Sequence, residues 1–394
     1  MTAHLPDSVP RGQDVSLSRL LWLGSIVLCA LLPPFALVVM FHDAIATDGV
    51  AFDFRVFYVA AEAALRGDTI YPPTDDPTLV DGRGYVYPPL TALVIAPLTV
   101  LPIEAAGLVV MVLLVAGALA IPLLVGVRDW RCIGMVLLWP PVISAIQTAN
   151  VSIPLAFAAA LVWRYRDRSV RPGLALGLAL AMKLVLWPLA LWLAVRRRYA
   201  AVVWAAASSV VLMLGSWAVV SFDGLRDYPG LLRRLSDVMD DRGYSVYAFL
   251  LDLGAPSAPA RAVWLAVAVA TLAAVVVVGR RGDHRSAFIL AIAASLASTP
   301  VVWLHYFTLL LVVVALAQPR LGPIWLVPIA FFVTPGSGDP TPFQTTVTFV
   351  TAALTLVLAY RASAAAFGAD RSPDGLPLAV EHEATRARTS PTAA

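Results

Sequence analysis

The chain has 394 residues, of which 60% are hydrophobic and only 13% are charged, and its mean hydropathy is +0.81. Soluble domains carry roughly 25% charged residues, so this composition excludes a protein that folds in water on its own. The formal net charge of +3 comes from arginines that flank apolar runs. That placement follows the positive-inside rule of membrane proteins and gives no reason to expect nucleic-acid binding.

Apolar runs follow one another from residue 18 to residue 365 and predict an all-α transmembrane helix bundle of eleven to thirteen segments. The first run, Leu20–Phe41, is too long for the apolar core of a signal peptide and is predicted to remain as a span. Runs 90–101, 172–183 and 184–195 reach only ~18 Å as helices, so they are predicted to be half-length or re-entrant. Such breaks are tolerated only inside protein or beside a water-filled cavity.

The distribution of arginine predicts the orientation of the bundle. Thirteen arginines and three acidic residues occupy the short breaks 128–131, 164–171, 196–198, 280–285 and Arg320. Seven arginines and fourteen acidic residues occupy the longer loops 42–90, 222–245 and 335–342. The first set is therefore predicted to be cytoplasmic and the second extracytoplasmic. The predicted organisation is a cytoplasmic N-terminus at 1–17, a membrane domain at 18–365 and a disordered cytoplasmic tail at 366–394.

Loop 42–90 contains a segment that is predicted to form a short amphipathic helix on the outer membrane surface. Its apolar positions recur at helical spacing: Phe54, Phe57, Tyr58, Ala61 and Leu65. Asp53 stands at the start of this helix, where a carboxylate favours the positive end of the helix dipole. The spacing alone leaves two interpretations open, a structural N-cap and a functional carboxylate.

The same loop ends in Tyr85-Val86-Tyr87-Pro88-Pro89. Two consecutive prolines fix the backbone and force the preceding residue to be extended, which predicts a rigid corner where the chain re-enters the membrane. The two tyrosines are either anchors at the membrane interface or part of a sugar-binding site.

Lys183 is the only lysine of the chain and lies between two apolar runs. A charged group inside a membrane segment is costly and usually faces a cavity or a partner. It either reaches for the interface or acts as a compact charge that binds phosphate. His305 lies at the turn between two later spans and is either a structural hydrogen-bonding group or part of a site. Both residues, with the polar turn 147–150, fall on the predicted outer side, so an outward-opening site is expected.

No metal-binding motif, phosphate-binding loop, dinucleotide fingerprint or nucleophile elbow is present in the sequence, and no metal or cofactor is predicted. An acidic residue together with a lysine and a histidine suits one reaction well. The carboxylate would deprotonate a hydroxyl, and the cations would stabilise a departing phosphate. This is the chemistry of glycosyl transfer from a lipid-phosphate sugar.

The segments that carry these residues resemble the GT-C glycosyltransferases of family 87, which include polyprenyl-phosphate-mannose-dependent α-1,2-mannosyltransferases. The resemblance begins with D-F-R-V-F-Y and Y-V-Y-P-P-L, and continues through N-V-S-I-P-L, G-L-A-L-A-M-K-L-V-L-W-P-L and S-T-P-V-V-W-L-H-Y. These segments occur in the same order as in the family, between residues ~50 and ~320. They imply the GT-C fold and an inverting transferase of the cell membrane whose active site faces away from the cytoplasm.

The resemblance also implies partners and roles. The donor would be a polyprenyl-phosphate hexose, with mannose favoured, and the acceptor a lipid-linked or glycan hydroxyl amid membrane lipids. Asp53 matches the catalytic base, and Lys183 and His305 match residues that bind the donor phosphate. Arg55, Tyr87 and Asn150 are assigned to substrate binding. Gln147 is displaced from the family pattern and is given no role.

Two alternatives come from other classes of function. Broken helices and an intramembrane lysine also suit a multi-pass transporter or lipid flippase. A polymerase or ligase of lipid-linked glycans would share the outward-facing site but would use an oligosaccharide donor.

Overall fold

The computed structural model describes residues 19–20, 22–46, 51–80, 82–239, 242–334 and 340–369. Within these ranges every regular element is helical, which confirms the predicted all-α class. The predicted N-terminal segment 1–17 lies outside the described residues. So does the predicted tail 366–394, except for its first four residues, which belong to the last helix.

The α-helices are numbered here in chain order. They are α1 Leu32–Ala46, α2 Phe52–Arg66, α3 Pro89–Ile95, α4 Ile103–Leu124, α5 Trp130–Val136, α6 Pro140–Gln147, α7 Ser152–Arg164, α8 Val170–Met182, α9 Pro188–Val195, α10 Tyr199–Val219, α11 Tyr228–Val238, α12 Val246–Asp252, α13 Ser257–Arg280, α14 His284–Ala297, α15 Leu310–Ala317, α16 Pro323–Leu326 and α17 Pro342–Ala369. A π-helical turn precedes α1 at Val27–Leu31, and 3₁₀ segments occupy Pro77–Leu79, Ala96–Val100, Leu184–Leu186, Leu304–Leu309 and Val327–Val333.

Five of the described helices are long and apolar enough to cross a membrane. They are the span Trp22–His42, which includes most of α1, and α4, α10, α13 and α17. Seven shorter apolar helical segments accompany them, so the bundle agrees with the predicted eleven to thirteen segments. The segment after the proline corner is short, as predicted, because α3 and the following 3₁₀ segment end at Val100.

Two of the long helices separate the arginine-rich breaks from the acidic loops. α4 begins just after Leu101 and ends before the break 128–131. The carbonyl of Leu101 accepts a hydrogen bond at 2.8 Å from the hydroxyl of Tyr58, which lies on α2 in the acidic loop 42–90. α10 begins after Arg198 and ends near Trp217, which stacks on Tyr71 at 5.3 Å. Helices of this length extend ~32 Å, so the two sets of loops lie at opposite ends of the bundle.

Three helical hairpins rise from the arginine-rich end. The first pairs α5 and α6 with α7, the second pairs α8 with α9, and the third pairs α14 with α15. The two ends of the second hairpin meet where Arg196 bonds to Asp167 at 3.0 Å. α8 and α14 have 13 and 14 residues and extend only ~20 Å, less than the ~30 Å of hydrocarbon in a bilayer. The hairpin tips therefore lie inside the bundle and do not reach the end at which the acidic loops lie.

The apolar run 132–147 forms two helices, because α5 ends at Val136 and α6 begins at Pro140. Pro140 forces Trp139 into an extended conformation, with ψ 120°, and this breaks the helix.

One expectation from the sequence needs correction: the amphipathic helix that is α2 was expected to lie on the outer membrane surface. Phe54, Phe57, Tyr58 and Ala61 are instead buried against the protein, while Leu65 is 63% exposed. α2 packs on α3, on the 3₁₀ segment Ala96–Val100 and on α4. It is held as part of the bundle, which fixes the position of Asp53.

Candidate functional site

Asp53 lies in the first turn of α2, which meets the end of α6. The amide of Ala51 donates to the carbonyl of Gln147 at 3.0 Å, and the amide of Asp53 donates to the carbonyl of Thr148 at 3.1 Å. Backbone groups that both helix ends leave unpaired thus satisfy each other. The N-cap is Ala51, without a side-chain capping bond, so the structural interpretation of Asp53 as an N-cap is wrong.

Asn150 holds the Asp53 carboxylate. Its side-chain amide donates to Oδ2 of Asp53 and, at 3.5 Å, to the hydroxyl of Tyr87. Its own Oδ1 accepts from the backbone amide of Ser152 at 2.9 Å and from the hydroxyl of Ser152 at 2.8 Å. Because Ser152 uses the oxygen, the NH₂ group must face Asp53 and Tyr87.

Lys183 stands at the tip of the second hairpin. Pro188 lacks an amide hydrogen and begins α9, so the chain changes direction here, and Lys183 is extended. Its Nζ donates to the Tyr87 hydroxyl at 3.1 Å and lies 4.6 Å from the centre of that ring. The lysine is directed into the bundle, so the alternative in which it reaches for the interface is wrong. Asp53, Asn150, Tyr87 and Lys183 form one continuous chain of contacts.

His305 lies at the start of the 3₁₀ segment Leu304–Leu309, just after the tip of the third hairpin, and is 7% exposed. Its ring stacks on Tyr306 at 5.3 Å and is within electrostatic range of Lys183. Its Nε2 is buried and has no hydrogen-bond partner within the described part of the chain. A buried polar nitrogen left in this way is expected where a ligand supplies the partner.

The predicted rigid corner is present, but its two tyrosines differ in role. Tyr85 is buried, and its hydroxyl donates to the carbonyl of Pro88 at 2.6 Å and accepts from the amide of Ala92 at 3.1 Å, which closes the first turn of α3. Tyr87 packs edge-on against Phe57 at 4.8 Å and points its hydroxyl at the site. Neither tyrosine is an interface anchor.

Arg55 lies on another face of α2 from Asp53. It lines a cavity of about 610 Å³ between α2 and residues 69–85, where Arg83 and Tyr71 also contribute. Arg55 thus faces this cavity. No three His, Cys, Asp or Glu side chains of the described ranges are grouped closely enough to hold a metal ion.

Sequence reasoning missed two contributors. Ser152 orients Asn150, and the ring of Tyr306 lies 4.4 Å from Lys183 Nζ. A serine two residues after Asn150 was a usable signal, since short side chains often bond locally in this way. Tyr306 gave no signal, because tyrosine near a membrane boundary is typical of an interface anchor.

The surroundings of Asp53 suit a base. The residue is on α2, outside the five long spans. Burial raises the pKa of its carboxyl above the ordinary value, while the Asn150 hydrogen bond and the Lys183 charge act in the opposite direction. A carboxylate with a raised pKa takes up a proton more readily near neutral pH.

Substituting Asn150 tests the role of this amide. We expect Asn150→Ala to lower kcat of the enzyme by ~10- to 100-fold, because a hydrogen bond to a charged group is lost. The matched control is Ser295→Ala, which removes another buried polar group whose hydroxyl bonds only within its own helix, to the carbonyl of Ala291. Equal kcat values in the two variants would contradict a role for Asn150 at the site.

A carboxylate and an ammonium linked by hydrogen bonds among the hairpin tips of a helix bundle are typical of a polytopic membrane protein with a functional site inside the bundle. The sequence model of glycosyltransferase family 87 matches residues 85–306, more than half of the chain. The chain belongs to glycosyltransferase family 87 and is a membrane glycosyltransferase, which confirms the resemblance. No curated protein and no solved structure matches it.

The match covers four of the six predicted site residues. It includes Tyr87, Asn150, Lys183 and His305. Asp53 and Arg55 precede the matched region, so their roles rest on geometry and on the sequence resemblance.

Proposed function

We propose that this chain transfers a hexose, with mannose favoured, from polyprenyl phosphate to a hydroxyl of a lipid-linked or glycan acceptor. The observation that carries the proposal is the contact chain from Asp53 through Asn150 and Tyr87 to Lys183. It brings a base and a cation to one place from α2, the proline corner and two hairpin tips. His305 adds an unpartnered buried nitrogen close to the cation.

The proposed transfer proceeds with inversion at the anomeric carbon. The Asp53 carboxylate accepts the proton of the acceptor hydroxyl as its oxygen attacks C1 of the sugar from the face opposite the phosphate. The bond between C1 and the phosphate oxygen breaks, and its electrons leave with polyprenyl phosphate. Lys183 and His305 stabilise the negative charge that the leaving phosphate gains.

The proposed side of catalysis is extracytoplasmic, at the plasma membrane. The excess of arginine in the short breaks supports this orientation, since Asp53 belongs to an acidic loop at the other end of the bundle. The cavity beside Arg55 is lined by residues of this same loop. The polyprenyl chain would enter from the lipid between helices.

Membership of a glycosyltransferase family favours transfer over the transporter or flippase alternative. A polymerase or ligase would differ in donor, because it would move an oligosaccharide in place of one hexose. The test is to incubate the purified protein with radiolabelled polyprenyl-phosphate mannose and a native lipid extract. We expect a labelled glycolipid or glycan to form; label that stays on polyprenyl phosphate would contradict the proposal.

The raised pKa of Asp53 predicts how activity depends on pH. A base is active only when ionised, so kcat/KM falls as pH drops through the pKa of the folded enzyme. Because burial raises that pKa, the acid limb should lie above the value of ~3.9 that is typical of aspartate. A rate profile from pH 4 to 8, on protein shown to stay folded throughout, measures it. A profile that is flat down to pH 4 would contradict Asp53 as the base.

A further inference from the structure

Lys183 and Asp53 are neighbours that form no direct ion pair. They influence each other electrostatically, yet within the described residues no nitrogen–oxygen pair between them comes within bonding range. The amide of Asn150 and the hydroxyl of Tyr87 stand between them. Lys183 Nζ donates a hydrogen bond to the Tyr87 hydroxyl at 3.1 Å, and this bond helps to hold the ammonium against the attraction of the carboxylate.

Two tyrosine rings add to this hydrogen bond. Lys183 Nζ lies 4.6 Å from the ring centre of Tyr87 and 4.4 Å from that of Tyr306, both within the range of a cation–π interaction. Tyr306 is 5% exposed and is fixed by stacking on His305. Tyr87 is fixed by Phe57 at the proline corner. The ammonium therefore contacts two immobilised aromatic side chains from separate parts of the chain.

We propose that Tyr87 and Tyr306 form an aromatic clamp that keeps Lys183 apart from Asp53, and that Tyr306 is a positioning residue for the transfer. This inference rests on the proposed function. A direct ion pair would occupy the carboxylate that must accept a proton and the ammonium that must meet the phosphate. The clamp leaves both groups available. The Tyr306 ring also contacts both Lys183 and His305, so one ring helps to position the two groups assigned to the phosphate.

Substitutions at Tyr306 separate the ring from the hydroxyl. Tyr306→Phe keeps the ring and should leave the donor KM within about twofold of wild type. Tyr306→Leu removes the ring and should raise the donor KM about tenfold, the effect of one cation–π contact in a desolvated site. The matched control is Tyr247→Leu, which removes a buried tyrosine 5.7 Å from the guanidinium of Arg261, away from the site. Its donor KM should not change.

A second measurement needs no turnover. Because Lys183 is the only lysine, reductive ¹³C-methylation labels one side chain in addition to the N-terminal amine. Ring currents from the two tyrosines should displace its methyl signal from that of free dimethyl-lysine. Tyr306→Leu should move the signal toward the free position, and Tyr306→Phe should not.

The outcomes distinguish failure of the aromatic clamp from failure of the proposed transferase function. A methyl signal at the same position in wild type and Tyr306→Leu overturns the clamp, as does a displaced signal with unchanged donor KM. If the wild type transfers no sugar but the signal still moves in Tyr306→Leu, the proposed function fails and the clamp stands. If Tyr306→Leu does not fold, Tyr87→Leu provides the test, since it removes the other ring of the clamp and should also move the signal.

Discussion

Asp53→Asn is expected to lower kcat/KM for sugar transfer by ~10³-fold, because positioned general bases contribute 10²- to 10⁴-fold to rates. The asparagine keeps an oxygen that accepts from Asn150, so the fold around α2 should be preserved. Donor binding should be retained or strengthened, since the substitution removes a negative charge near the place proposed for the phosphate. The measurements are initial rates with a labelled donor and equilibrium binding of the same donor.

Asp68→Asn is the matched control for this variant. Asp68 belongs to the same loop and pairs with Arg66 at 2.8 Å, but its side chain is 60% exposed. Exposed ion pairs contribute little, so the control should transfer sugar at the wild-type rate. Wild-type transfer by Asp53→Asn would remove Asp53 as the base, whatever the control does.

Lys183→Met is expected to raise the donor KM and to lower kcat/KM by ~10²- to 10³-fold, the effect of removing one group that stabilises developing charge. Methionine has a similar length and fills the space between the tyrosine rings without a charge. Lys183→Arg should recover part of the loss, because it restores the charge but not its compact shape. The same initial-rate assay, with the donor concentration varied, gives both constants.

The two variants should differ in which constant changes. Loss of a base acts on kcat, whereas loss of a phosphate-binding cation acts on donor binding as well. A Lys183→Met enzyme whose donor KM equals that of the wild type would show that the lysine does not bind the donor phosphate. The phosphate would then have to be held by other residues.

Much of the fold could be predicted because membrane segments follow simple rules. Length and hydropathy located the long spans, and arginine counts grouped the loops that now lie at each end of the bundle. The proline pair at 140–141 was visible in the sequence, but the apolar run around it concealed the break. The burial of Phe54 and Phe57 was not predictable, since an amphipathic pattern does not reveal whether its apolar face meets lipid or protein.

The site was predictable residue by residue but not as a network. Lys183 was singled out by its cost in an apolar run, and Asp53 by its place before a helix. Their connection through Asn150 and Tyr87 depends on side-chain directions that spacing does not fix. The role of Tyr306 could not be predicted for the same reason. Its contact with Lys183 joins two hairpin tips that are more than 100 residues apart in the sequence.

The most direct test of the account is a cryo-electron microscopy structure of the Asp53→Asn variant with polyprenyl-phosphate mannose bound. We expect the phosphate within hydrogen-bonding distance of Lys183 and His305, with C1 of the sugar facing residue 53. A donor whose phosphate lies elsewhere, such as at the arginine-rich end of the bundle, would contradict the assignment of this cluster as the transfer site.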